Sequence, residues 1–204
     1  LNEGKEYGYL NFSSVGSNIL KNTNNLRSRI INDFDFPFWL SKSAFALLAL
    51  IRWYKKLHLR KPIVWVPGYF CNTTLQFLYQ ENIQIVFYDL KSDLNPDWIK
   101  INENIKNNDI DIFIIVHYFG IPSDIKEAYD FCKINKCLLV EDCAHVLIPN
   151  NGIGEYGDFA FYSPHKLLAI PNGSLLIKSH KQNKQSNSEI EIMKEVIDKM
   201  DQKY

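Results

Sequence analysis

Nowhere in these 204 residues does an apolar run approach the roughly 20 positions that a membrane-crossing helix needs. The opening stretch, LNEGKEYGYLNF, lacks the basic-then-apolar order of a secretory leader. Neither sign of charge is in excess: 23 Lys and Arg balance 23 Asp and Glu, for a formal net charge of +0. That balance leaves no electrostatic footprint for nucleic acid or for an anionic membrane surface, and it points to small or neutral partners. Cysteine is scarce as well. Cys71, Cys132, Cys137 and Cys143 include no CxxC pair and no grouping with histidines, so neither a zinc site nor a disulfide framework is indicated. The expectation is a soluble, cytoplasmic protein with reduced thiols. Internal repeats are missing too, and the one biased segment is the KQNKQSNS linker.

What is present is enough hydrophobic sequence, 46% of the chain, to bury a core of one domain with appendages. Residues 1–40 read as an Asn- and Ser-rich irregular arm whose aromatic end, DFDFPFWL, packs onto the body. From Ser43 the apolar positions Ala44, Leu47, Leu48 and Ile51 recur at helical spacing to about His58, with Ser41 or Ser43 as candidate caps. Then come IVWVP, IQIVFYDL, DIFIIVHYF and CLLVED, continuous apolar runs separated by the helical stretches LQFLYQEN and PSDIKEAYDFCKIN. Runs without polar alternation describe strands covered on both faces. The fold class is α/β: a mostly parallel sheet flanked by helices over 41–180. DFAFYS and GSLLIKS add two strands, and residues 181–204 form a polar linker and a short amphipathic helix, IEIMKEVIDKM.

In sheets of this kind ligands gather at the carboxyl ends of strands. Several reactive side chains fall there: the segment Pro67 to Thr74, His117, Glu141, Asp142, His145, and Ser163 to Lys166. Any one of them alone is more often a hydrogen-bonded loop residue than a catalyst. Together they fit a specific chemistry. A desolvated lysine, Lys166, is a nucleophile toward carbonyls. A buried acid, Asp142, would keep a proton on the ring nitrogen of pyridoxal 5'-phosphate, whose aldehyde would join Lys166 as a Schiff base. His145 could meet the ring hydroxyl. Ser43 and Ala44, in SKSA at the start of the first long helix, offer amides and a hydroxyl to a phosphate, and Ser163 is a second candidate. Ser163-Pro-His-Lys166 also matches the SxxK motif of penicillin-recognising enzymes, but a strand precedes it and neither SDN nor KTG follows. A metal held by Asp142, His145 and His117 is disfavoured for want of a tighter cluster.

The succession WVPGYFCNTT, VHYFGIPSDI, VEDCAH and GDFAFYSPHK resembles the DegT/DnrJ/EryC1/StrS aminotransferases over about residues 40 to 178. The resemblance implies a fold-type I pyridoxal-phosphate large domain and transfer of an amino group, from an amino-acid donor such as glutamate, to a nucleotide-linked keto sugar. It also implies a homodimer. Lys166 takes the Schiff-base position, Asp142 that of the pyridine-nitrogen partner, and His145 that of the ring-hydroxyl neighbour. Ser43, Ala44 and Ser163 fall near the phosphate positions. Cys71 aligns with the residue stacked on the ring, where Tyr69 or Phe70 could substitute. The chain departs from the family pattern in placing Ser163 three rather than five positions before Lys166 and in having Pro171-Asn172-Gly173-Ser174 for a Gly-Gly turn, and it stops at Tyr204, short of the family's small C-terminal domain, as expected of either a fragment or a natural short form. These departures motivate a second expectation, a catalytically degenerate homologue serving as a binding or accessory protein.

Overall fold

A computed structural model describes residues 36–147, 149–179 and 187–201. The arm before residue 36 and most of the KQNKQSNS linker lie outside the described residues. The apolar runs form strands whose successive side chains feed opposite faces of one sheet. These are β1 (Phe36–Leu40), β2 (Ile63–Pro67), β3 (Gln84–Tyr88), β4 (Ile112–Val116), β5 (Leu138–Cys143), β6 (Phe159–Tyr162) and β7 (Ser174–Lys178). Their order across the sheet is β1-β7-β6-β5-β4-β2-β3. From β6 to β3 every neighbouring pair is parallel, while β7 runs antiparallel to both β6 and β1. The arm's aromatic end is thus an edge strand, with Trp39 opposite Leu175. Pro37 is tolerated there because an edge position need not donate on both sides.

Helices α1 (Ser43–His58), α2 (Asn72–Gln80), α3 (Trp98–Asn104), α4 (Ile125–Asn135) and α5 (Asn187–Asp201) cover the sheet. Val64, Val66, Ile112, Ile114 and Val140 face α1, α2 and α5, whereas Trp65, Phe113, Ile115 and Leu139 face α3 and α4. Each fully buried large side chain here contributes about 1.5–3 kcal/mol. Near its centre α1 is buried almost all round, from Ala46 to Ile51, because the sheet, α2 and α5 all pack on it. Neither predicted serine caps it. Lys42 is the N-cap residue and makes no side-chain cap bond. At the other end Arg52 and Lys55 hold Glu81 at 2.8 and 2.6 Å, tying α1 to the end of α2. The amphipathic C-terminal stretch docks through Lys178, whose ammonium meets Glu189 and lies over the rings of Trp53 and Phe159. Trp53 Nε1 donates to the Glu189 carbonyl at 2.9 Å. No described helix is long and apolar enough to cross a membrane.

Candidate active site

The strand directions decide where the reactive side chains meet. Because β2, β4, β5 and β6 are parallel, their carboxyl ends share one edge of the sheet. The antiparallel β7 brings its amino end to that edge, and β1 its carboxyl end, so the start of α1 arrives there as well. One backbone and one side-chain contact close this edge: Gly173 N donates to Ser41 O at 2.9 Å, and His165 Nδ1 lies 2.8 Å from Gly173 O. Ser43 and Ala44, the first residues of α1, therefore stand beside the turn that carries Lys166.

Asp142 lies at the end of β5 on the α1 side of the sheet, in alternation with Val140. Burial pushes its carboxyl up to about 6, against the opposing influence of the Ala144 amide, which donates to Oδ1 at 3.0 Å, of the Lys166 charge and of His117. His145 is held below its ordinary value, first by burial and then by the same Lys166 charge. Lys166 thus acts electrostatically on both partners expected of it. Its own surroundings differ from expectation. Lys166 sits exposed on a 3₁₀ turn, Pro164–Lys166, and Asp142 retains partial exposure. The turn lifts the amine off the sheet end, and the following Leu167 and Leu168 are themselves half exposed, so no described part of this chain desolvates it.

Sequence reasoning missed two neighbours. Strand β4 ends at Val116, three residues earlier than DIFIIVHYF suggested, and Tyr118 and Phe119 form a tight turn with Phe119 at φ +57°. Phe119 N donates to His145 Nδ1 at 3.0 Å, and its ring stacks on the imidazole with centroids 5.9 Å apart. The neutral ring's proton is thereby left on Nε2. Tyr118 donates its hydroxyl to the Tyr69 carbonyl and stacks on the Tyr69 ring at 5.7 Å. Burial, and then the nearby Asp142 charge, push the Tyr118 phenol up. Tyr69 is 66% exposed, and Phe119 72%. Cys71 precedes α2 as its N-cap residue. Burial raises its thiol, but the amides and hydroxyls of Thr74 and Thr73 outweigh that and hold it below the usual value. Ser163 is fully buried at the end of β6, and its Oγ has no hydrogen-bond partner.

On the opposite face His117, Glu141 and Cys143 lie close enough to share an ion. That grouping is not the Asp142, His145 and His117 set weighed from sequence. Glu141 and His117 are already engaged. Both Glu141 oxygens accept N–H groups from His117, Gly154, Tyr156 and Gly157, and His117 Nδ1 accepts from Ser123 N.

A family model, that of the DegT/DnrJ/EryC1/StrS aminotransferase family, matches residues 46–195, most of the chain. The chain belongs to this family. Solved structures with the same fold include Helicobacter pylori PseC, an aminotransferase involved in the biosynthesis of pseudoaminic acid, at TM-score 0.64 and 19% identity over 79% of this chain and 43% of that one. Escherichia coli GDP-4-keto-6-deoxy-D-mannose-3-dehydratase, solved with bound hydrated PLP, matches at TM-score 0.64 and 19% identity, covering 83% of this chain and 47% of that one. A DegT/DnrJ/EryC1/StrS aminotransferase from Brucella abortus matches at TM-score 0.64 and 13% identity, covering 91% and 52%. At these identities the likeness establishes the fold, a fold-type I large domain. The chain spans about half the length of these relatives.

Proposed function

We propose that this chain is the cofactor-holding portion of a pyridoxal 5'-phosphate-dependent aminotransferase that passes an amino group, with glutamate as donor, to a nucleotide-linked keto sugar. The observation that carries the reading is the convergence of Lys166, Asp142 and His145 on one strand edge, with the Lys166 charge felt by both others. The residues fit the cofactor in two further respects. Ser163 Oγ is a buried hydroxyl without a partner beside the start of α1, where a phosphate would be met by first-turn amides. Partial burial holds the Asp142 carboxyl above the ordinary range, a cost that an opposing pyridinium would relieve.

Bound pyridoxal phosphate supplies an aldehyde that condenses with amines and a ring that withdraws electrons. The chain's own groups do the rest. Lys166 Nζ would hold the aldehyde and, once freed by a donor amine, would be the base that moves a proton from the donor's amine-bearing carbon to the former aldehyde carbon. Asp142 keeps the proton on the ring nitrogen. The Nε2–H of His145 is the donor toward the ring hydroxyl, with Phe119 holding the imidazole in that orientation. Ser43, Ala44 and Ser163 would hold the phosphate, and Tyr69 or Cys71 would lie against the ring. A second copy of the chain would close the exposed edge that Lys166, Phe119 and Tyr69 share, making a homodimer. The four free thiols suit a reducing compartment such as the cytoplasm.

The test is a spectroscopic titration of the purified chain with pyridoxal phosphate. The reading expects a visible absorption band that saturates and is absent from Lys166→Ala. A colourless protein would instead support a degenerate homologue that works by binding.

A further inference from the structure

Glu141, the chain neighbour of Asp142, has a fully buried side chain on the far face of the sheet from it. Its carboxylate is saturated. Oε2 accepts from His117 Nε2 at 2.8 Å and Gly154 N at 2.6 Å, and Oε1 accepts from Tyr156 N at 2.8 Å and Gly157 N at 2.6 Å. One side chain thus joins the end of β4, the end of β5 and the loop that leads into β6. His117 is fixed at both ring nitrogens, since Ser123 N donates to Nδ1 at 3.2 Å and leaves Nε2 to donate to Glu141. It also reaches Asp142 directly through the backbone, His117 N donating to Asp142 O at 3.1 Å. The loop glycines are required by this arrangement. A Cβ on Gly157 would lie 3.0 Å from Glu141 Cγ and 2.6 Å from Phe159 O, and Gly154, at φ +73°, would place one 1.9 Å from the Tyr162 hydroxyl.

We propose that Glu141 and His117 are positioning residues. From the far face of the sheet they fix the carboxyl end of β5, and so the aim of the Asp142 carboxylate into the site. Strand alternation keeps both side chains away from anything bound beside Asp142, so they act mainly through the backbone, with a smaller electrostatic influence of His117 that lowers the Asp142 carboxyl. In its bearing on the cofactor this inference rests on the function proposed above, although the geometry of the clamp does not.

Three variants of the full chain test it. Glu141→Gln turns one of two acceptor oxygens into a donor that faces two N–H groups. His117→Leu removes the ring donor without altering charge, because the ring is neutral with Nδ1 accepting, and it controls for the charge lost in Glu141→Gln. His117→Gln keeps an N–H able to reach Glu141. Melting temperature is measured for each, alongside pyridoxal phosphate affinity by visible absorbance and, in cofactor-free protein, the Asp142 carboxyl titration by ¹³C NMR. Glu141→Gln and His117→Leu should weaken cofactor binding about tenfold, the low end of what outer-shell partners of a bound group contribute. They should also move the Asp142 titration about one unit back toward an ordinary carboxyl as the strand end admits water. His117→Gln should stay close to wild type in both. Variants that melt earlier while leaving affinity and titration unchanged would make the clamp merely structural and overturn the proposal. A wild-type chain that takes up no cofactor refutes the proposed function, whereas the Asp142 titration still decides the clamp. If Glu141→Gln does not fold, the two His117 variants decide it in the same way.

Discussion

Replacing Asp142 with asparagine should stabilise the cofactor-free protein at neutral pH. The folded-state carboxyl sits at about 6, and an unperturbed aspartate at about 3.9. Between those values the native state holds a proton that the unfolded chain has released. This residue's contribution to stability therefore falls as the pH rises from about 4 to 6 and stays lost above that. A shift of roughly two units at about 1.4 kcal/mol each gives about 2–3 kcal/mol at pH 7.5. Asparagine is isosteric, keeps an oxygen for the Ala144 amide and cannot ionise. The variant should melt about 5–10 °C higher than wild type at pH 7.5, taking 2–4 °C per kcal/mol for a chain of this size. At pH 4 the advantage should shrink to about 0.5 kcal/mol, because the native residue is then protonated and the unfolded one only about half ionised. Thermal unfolding followed by circular dichroism at the two pH values measures both numbers. The same substitution should weaken pyridoxal phosphate capture, a stability gained where the proposed function is lost. An asparagine variant no more stable than wild type at pH 7.5, or a gain that persists undiminished at pH 4, would refute the reasoning.

Other outcomes are equally specific. In Lys166→Ala the His145 imidazole should titrate higher than in wild type, since a neighbouring cation that disfavours its charged form is gone; an unmoved ¹H–¹⁵N imidazole titration would separate the two residues. Gly154→Ala should cost about 2–4 kcal/mol in denaturant unfolding, from strain at positive φ combined with the clash at the Tyr162 hydroxyl, and a loss below about 0.5 kcal/mol would show that the loop gives way. Ile114→Ala, at a fully buried position in the middle of β4, should cost about 2–5 kcal/mol while leaving the position of the cofactor band unchanged.

Much of the fold was legible because β2, β4 and β5 are covered on both faces and so appear as unbroken apolar runs. The edge strand β1 was not. FPFWL is short, contains a proline and follows an Asn-rich stretch, and only its pairing with β7 makes it a strand. Helix α3 escaped notice although Asp97 accepts the Lys100 amide as a cap should, since seven residues are too few to show a helical period. At the site, the strand-end rule brought Asp142, His145 and Lys166 to one edge from sequence alone. Lys166, expected to be desolvated, is exposed because Leu167 and Leu168 after it are themselves partly open to solvent. The Glu141 clamp had no signature to read. Its partners are backbone amides and a histidine 24 positions away, and only the register of β4 against β5 brings them together.

Reduction of the protein with borohydride after incubation with pyridoxal phosphate, followed by peptide mapping, tests the central claim most directly. The account predicts the cofactor's mass on the peptide carrying Lys166 in wild type, and no labelled peptide at that position in Lys166→Ala. Label spread over surface lysines such as Lys42 and Lys100, at the same level with or without Lys166, would contradict it.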